Sequence, residues 1–261
     1  MKFSIITPCL NAKDHIEVAI RSVMGQSYPY FEHIVVDGGS TDGTVDILKR
    51  YPHLTWISEP DTGQSNAMNK GFDMATGDVI SYLNADDYFL PVAFASVLPA
   101  FSAGAEFVVG DVLVKMDEGY FVNSPRLRFQ EMIRHWEPNA FPNNPVGYFY
   151  HRKIQEQVPF NEDNHLMMDV EFLLESSLLT DFVKVDDVLG VYRAFGDTKT
   201  LQVQVDPNYW SGNSFSVLDR FIDYLPAQDR AGYIADRKQG LELRRQEALR
   251  SQADIATPTL A

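Results

Sequence analysis

Along residues 2–111 the chain alternates two patterns of apolar positions. Short continuous runs read as buried strands, and stretches with an apolar residue every third or fourth position read as amphipathic helices. Phe3-Ser4-Ile5-Ile6-Thr7 predicts the first strand, and Ile16, Ala19, Ile20 and Val23 predict the inward face of the first helix. His33-Ile34-Val35-Val36-Asp37 predicts a second strand, ended by the turn Gly38-Gly39-Ser40-Thr41-Asp42-Gly43. A helix over residues 44–49, capped by Thr41 or Asp42, should follow. A strand at Leu54-Thr55-Trp56-Ile57, a helix over 65–74 stopped by Thr76-Gly77, a strand over 79–83, a helix over about 92–101 and a strand over 107–109 continue the series. Such alternation implies βαβ units and a parallel sheet.

Beyond residue 111 the alternation weakens. Segments 112–116 and 120–123, around Asp117-Glu118-Gly119, predict a hairpin. Residues 124–165 are rich in Pro, Asn and aromatics, among them His135, Trp136, Phe141, Tyr148, Phe149 and Tyr150. A substrate-facing surface and ordinary packing account for that stretch equally well. Residues 169–179 predict a helix with Val170, Leu173, Leu174 and Leu178 inward, and 182–185 and 188–192 predict two closing strands. From Ser211 the chain reads as helical to about Arg250, and the Thr-, Pro- and Ala-containing tail after it is expected to be disordered.

With 261 residues the chain fits one large domain, or one domain with an appendage. A net charge of −14 argues against a nucleic-acid binder, which needs a basic footprint. An anionic ligand would then require local positive charge, helix N-termini or a metal. Basic residues gather late, at Arg230, Arg237, Lys238, Arg244, Arg245 and Arg250. A helix of that kind suits peripheral contact with an anionic membrane face; a packing or homodimer helix suits it as well. Nothing in the sequence resembles a signal peptide, and no apolar run approaches the roughly 20 residues of a membrane span. The expected location is cytoplasmic, at most peripheral at the inner face of the membrane. Cys9 stands alone, so no internal disulfide forms.

The chemistry concentrates at strand ends. Asn84-Ala85-Asp86-Asp87 follows the strand over 79–83, Asp37 ends the second strand, and Asp61 follows the third within Glu59-Pro60-Asp61. Parallel strands bring such ends to one edge of a sheet, where open α/β folds bind ligands. A single Asp after a strand is usually a turn residue. Several of them together repel one another unless a cation or hydrogen-bond donors intervene. Carboxylates in that position suit Mg²⁺ or Mn²⁺ shared with a substrate's phosphates.

The ordered set of motifs resembles the family 2 glycosyltransferases of the GT-A fold, inverting enzymes of bacterial surface-polysaccharide synthesis. The resemblance rests on Ser4-Ile5-Ile6-Thr7-Pro8 with Asn11, Val35-Val36-Asp37-Gly38-Gly39-Ser40-Thr41-Asp42-Gly43-Thr44, Glu59-Pro60-Asp61-Thr62-Gly63, Ala67-Met68-Asn69-Lys70-Gly71, Ala75-Thr76-Gly77-Asp78 and Leu83-Asn84-Ala85-Asp86-Asp87. It covers roughly residues 1–200, and the order and spacing carry it more than any one motif.

The resemblance implies an α/β GT-A fold: a Rossmann-like, mostly parallel sheet flanked by helices, with a C-terminal helical extension. Taken with the helical pattern and tail composition after it, it divides the chain into a glycosyltransferase domain over 1–205, made of a nucleotide-binding half (1–111) and an acceptor-side half (112–205), a helical extension over 206–250 and a tail over 251–261 expected to be disordered. Pro8, Asn11, Asp37, Asp61, Lys70, Asn84 and Asp111 inherit donor-binding roles, and Asp86 and Asp87 inherit the Mn²⁺ or Mg²⁺. Asp169, in Met168-Asp169-Val170-Glu171-Phe172, falls at the position of the general base. The implied reaction moves a sugar from a UDP-sugar, or alternatively a dTDP-sugar, to a hydroxyl of a glycan or lipid-linked acceptor. Four positions depart from the family: Leu10 for an aromatic, Asn84 for an acid, Met68 for an Arg and Met168 for a Glu. They leave a catalytically weak nucleotide-sugar-binding module as the alternative. Arg193-Ala194-Phe195-Gly196-Asp197-Thr198-Lys199 resembles the loop that closes over the diphosphate through Arg193 or Lys199.

Overall fold

The computed structural model describes residues 1–117, 119–134, 136–194, 206, 208–209 and 212–256. Glu118, His135 and the predicted lid residues Phe195 to Lys199 lie outside the described residues. Among those described, nine strands form one sheet in the order β3-β2-β1-β4-β8-β6-β9-β5, with β7 pairing β6 at the side. The first half supplies β1 (Phe3–Cys9), α1 (Ile16–Met24), β2 (Phe31–Asp37), α2 (Thr44–Leu48), β3 (Thr55–Ser58), α3 (Gln64–Met74), β4 (Val79–Tyr82), β5 (Tyr88–Phe89) and α4 (Ala93–Ser102). The second supplies β6 (Phe107–Met116), β7 (Gly119–Asn123), α5 (Phe129–Met132), β8 (Tyr148–His151), α6 (Lys153–Gln157), α7 (Met168–Leu179), β9 (Phe182–Arg193), a 3₁₀ segment (Gly212–Tyr224) and α8 (Ala227–Ala256).

β1 pairs in parallel with β2 on one side and β4 on the other, and β2 pairs in parallel with β3. All seven β1 residues are buried, as expected of an interior strand covered on both faces. One face packs Phe3, Ile5 and Phe149 against Phe94, Val97 and Phe101 of α4. The other packs Ile6, Ile34 and Val36 against Met68 of α3 and Phe172 and Leu173 of α7. Helix α3 sits tightly on β1 because Gly71 has no side chain: a Cβ there would lie 2.3 Å from Ile6 Cγ2. The sheet order places a topological switch between β1 and β4, since the chain runs outward to β3 and returns on the far side of β1. A crevice opens beyond the carboxyl ends of strands at such a switch.

One reading left open by the sequence is decided, and three expectations are corrected. Tyr148, Phe149 and Tyr150 belong to β8, which enters the sheet antiparallel between β4 and β6, and all three are fully buried. Of the two readings the sequence left open, packing holds for these three residues. The segments expected as separate strands over 107–109 and 112–116 form the single β6, and those over 182–185 and 188–192 form the single β9. The two run parallel and share an irregularity around Val109, Asp111 and Val112. Gly110 permits the close approach there, for its Cβ would meet Leu189 at 2.4 Å. Leu178 is 40% exposed, because α7 outruns the core after Ser176. Finally, α8 continues to Ala256 instead of stopping near Arg250.

The C-terminal segments build a third core. Leu218, Phe221, Tyr233 and Leu241 pack against Met132, Ile133 and Trp136 and against Val170 and Leu174 of α7. Gly240 lies on the indole of Trp136, where a Cβ would come within 2.4 Å. Four arginines of α8 find acidic partners inside the chain: Arg230 with Asp223, Arg237 with Asp219, Arg244 with Glu247 and Arg245 with Glu242. No described helix is long and apolar enough to cross a membrane.

Candidate active site

At the switch between β1 and β4 lies a cavity of about 540 Å³. Pro8, Leu10, Asn11 and His15 line it from the end of β1, Asp61, Gly63 and Gln64 from the entry to α3, and Asn84 and Asp86 from the end of β4. Asn143, Asn144 and Pro145 come from the loop before β8, Asp169 from the first turn of α7, and Tyr192 and Arg193 from the end of β9. Pro8, Asn11, Asp61, Asn84, Asp86 and Asp169 therefore meet at one site.

Local structure explains the placement on the β1–β2 side. Asn11 has a positive φ of 50°, accepts the Thr41 N–H through Oδ1 (3.0 Å) and donates its own N–H to Ser40 Oγ (2.7 Å). This ties the loop after β1 to the turn after β2. Asp61 Oδ1 accepts the Gly63 N–H at 2.9 Å, and its Oδ2 lies against Gly38, where a Cβ would be 2.7 Å away. Leu10 is 60% exposed at the rim.

The structure does not bring Asp37, Lys70, Asp87 or Asp111 to the cavity wall. Asp37 is buried and accepts from the N–H groups of Gly39 (3.2 Å) and Ser40 (2.9 Å) and from the hydroxyls of Ser40 and Ser58. Burial opposes its ionisation, but the Ser40 and Ser58 bonds outweigh that and hold its pKa below the ordinary value. Its carboxylate organises the turn. Lys70 turns back to Glu59 Oε1 (2.6 Å) and to the Pro60 carbonyl (3.3 Å), bracing the loop that carries Asp61. Asp111 is ion-paired with Lys184 on β9. Asp87 is fully buried; burial, and then the neighbouring Asp86, raise its pKa.

The departures also find their places. Met68 is fully buried in the core under α3, and Met168 accepts the Ser65 hydroxyl on Sδ at 3.0 Å. Neither position faces the cavity. Cys9 lines it, and burial followed by the Asp37 carboxylate pushes the thiol up, so it stays protonated and is no nucleophile. Glu171, two residues beyond Asp169, points to the opposite side of α7. It accepts from Asn161 and Asn164 and pairs with Arg220.

Gln64, Asn143, Asn144 and Tyr192 were not singled out from the sequence. Asn143-Asn144-Pro145 carried a turn signal, but nothing placed that turn beside β4, because β8 was hidden in an aromatic stretch. Among the described residues no group of three His, Cys, Asp or Glu side chains is arranged to hold a metal ion by itself. Asp86 offers one hard oxygen ligand to the cavity, a donor set that fits Mg²⁺ or Mn²⁺ completed by substrate phosphates.

The family model for glycosyl transferase family 2 matches residues 4–171. The chain belongs to this family, and so to the glycosyltransferase enzymes. Over 90 residues it is 42% identical to a putative teichuronic acid biosynthesis glycosyltransferase, TuaG, of Bacillus subtilis, a match covering 32% of this chain and 35% of that protein. Over 247 residues it is 29% identical to a PGL/p-HBAD biosynthesis glycosyltransferase of Mycobacterium tuberculosis, covering 88% of this chain and 86% of the relative. Among solved structures it resembles S. aureus TarS 1-349 in complex with UDP-GlcNAc, with a TM-score of 0.65 at 19% identity, over 92% of this chain and 70% of that one. It resembles the mannosyltransferase PcManGT of Pyrobaculum calidifontis, in complex with GDP-Man and Mn²⁺, equally well: TM-score 0.65, 19% identity, 99% and 76% coverage. The fold is GT-A, a mixed α/β sheet flanked by helices.

Proposed function

We propose that the chain is a metal-assisted inverting glycosyltransferase that moves a sugar from a UDP-sugar, or a dTDP-sugar, to an acceptor hydroxyl. One observation carries the reading: Asp86 and Asp169 line the same cavity from different elements, together with Pro8, Asn11 and Asp61. Two fold relatives with UDP-GlcNAc and with GDP-Man and Mn²⁺ bound support a nucleotide sugar as the donor class.

In this reading the nucleoside lies by Pro8, Asn11 and Asp61, and the diphosphate reaches Asp86 and Arg193. Asp86 would hold Mn²⁺ or Mg²⁺, which neutralises charge on the departing diphosphate. Arg193, at the end of β9, adds a guanidinium on that side, fixed by its Nε donating to the Asp86 carbonyl. Asp169 takes the proton of the acceptor hydroxyl as its oxygen attacks the anomeric carbon opposite the leaving group. The new C–O bond forms as the bond to the diphosphate breaks, and the bonding pair leaves with the diphosphate. Its place in the first turn of α7 favours the anionic form a base requires. The acceptor is a glycan or lipid-linked saccharide, in line with the biosynthetic names of the relatives.

The test is transfer from a panel of nucleotide sugars to saccharide acceptors, with the anomeric configuration of the product read by NMR. An inverted product supports the reading and a retained one overturns it. Asn84 in place of an acid favours the second reading, a binding module with weak catalysis. Nucleotide binding with no turnover across the panel would decide for it.

A further inference from the structure

The two polar residues flanking Asp86 in its motif are tied to the protein rather than offered to a ligand. Asp87 accepts three hydrogen bonds, from Asn84 Nδ2 (3.2 Å), Asn144 Nδ2 (2.8 Å) and the Arg193 N–H (2.8 Å). Each of these partners lines the cavity, while Asp87 does not. Asn84 Oδ1 in turn accepts from Gln64 Nε2 at 3.1 Å. One carboxylate and one amide thus join the start of α3, the end of β4, the loop before β8 and the end of β9.

The residue types follow from the bonding. Every partner of Asp87 is a donor, so the position calls for a group that only accepts, and bonds fill both of its oxygens. Residue 84 must accept from Gln64 and donate to Asp87 at once, which an amide does and a carboxylate does not. A carboxylate at 84 would also set a second anion against a fully buried one.

We propose that Asp87 is a positioning residue and Asn84 its amide partner, pinning four chain segments around the donor site, whose wall includes Asp86 and not Asp87. The inference builds on the donor-site reading and revises the expectation that Asp87 ligates the metal. It also recasts Asn84: the amide is a strap between α3 and β4, not a weakened metal ligand.

The experiment is a double-mutant cycle on Asn84→Asp, Asp87→Asn and their combination, in which the amide and carboxylate exchange places. Unfolding temperature is measured without metal. UDP affinity with Mn²⁺ is measured by calorimetry where all variants are folded. Each single variant should lower the metal-free unfolding temperature and weaken UDP by about ten-fold, the scale of one lost charge-assisted bond. The exchange should recover part of both, because an amide at 87 can donate to a carboxylate at 84 while 84 still accepts from Gln64. Tighter Mn²⁺ binding by Asn84→Asp at unchanged metal-free stability, or no recovery in the exchange, overturns the inference while leaving UDP binding by the unaltered protein intact. Failure of the unaltered protein to bind UDP overturns the donor reading and this inference with it.

Discussion

Arg220, in the 3₁₀ segment of the C-terminal extension, forms an ion pair with Glu171, two positions along α7 from Asp169. Glu171 is buried and also takes hydrogen bonds from Asn161 and Asn164, so its charge is fully engaged away from the cavity. The extension therefore braces the helix that presents the candidate base. Arg220→Leu should destabilise the protein by about 2 kcal/mol, since it strands a buried carboxylate whose partner was itself half exposed. The urea midpoint at neutral pH measures this; an unchanged midpoint would show that the pair contributes nothing.

The same pair separates the two acids of α7 by role. Asp169→Asn keeps shape and hydrogen bonding but cannot take a proton, so transfer should fall about 10²–10⁴-fold while UDP binding persists. Steady-state transfer and calorimetry on one preparation measure both. Transfer at the wild-type rate would remove Asp169 from the base role.

Gly38 sits against the Asp61 side chain in the turn after β2, where an added Cβ would lie 2.7 Å from Oδ2 and clash with it. Gly38→Ala should swing Asp61 off the cavity wall and weaken UDP by about ten-fold. Stability should change little, because the atom displaced is the end of a flexible side chain. Equal UDP affinity in variant and parent would place Asp61 outside the nucleoside contacts.

Stability should also depend on pH through His33, which is buried, bonded to Thr7 Oγ1 at 2.9 Å, and pushed down to about 3 by burial. The folded state resists protonation more than the unfolded one, whose imidazole titrates near 6.5. Its contribution is therefore full above pH 6.5 and is lost as pH falls toward 3. Urea midpoints from pH 7 to 4.5 should decline less in His33→Gln than in the parent protein. Parallel declines would show that His33 is not a source of the acid sensitivity.

The first half of the fold was legible because each strand there is a short apolar run and each helix shows one apolar face, as in α1 with Ile16, Ala19, Ile20 and Val23 buried. The second half was not. Tyr148-Phe149-Tyr150 is buried on both sides, so it lacks the alternation that marks a half-exposed strand, and aromatic residues beside Asn and Pro suit a binding surface as well as a core. Strands β6 and β9 read as broken pairs because Gly110 and Asp186-Asp187 interrupt their apolar runs, though each strand continues across an irregularity in their pairing. In the site, strand-end position located Asp61 and Asp86 and the family resemblance located Asp169, in the first turn of α7, but neither could reveal side-chain direction. Asp37 and Asp87 occupy equivalent strand-end positions and turn inward, to Ser40 and Ser58 and to Asn84 and Asn144 respectively.

The central claim is that this cavity binds a nucleotide diphosphate through a cation held by Asp86. Calorimetric titration of UDP with and without Mn²⁺, on the parent protein and Asp86→Ala, tests it most directly. Mn²⁺ should tighten UDP in the parent protein, and Asp86→Ala should lose that gain while keeping the metal-free affinity. An equal Mn²⁺ effect in both proteins would contradict the assignment of the cation to Asp86, and no binding of UDP under any condition would contradict the donor site itself.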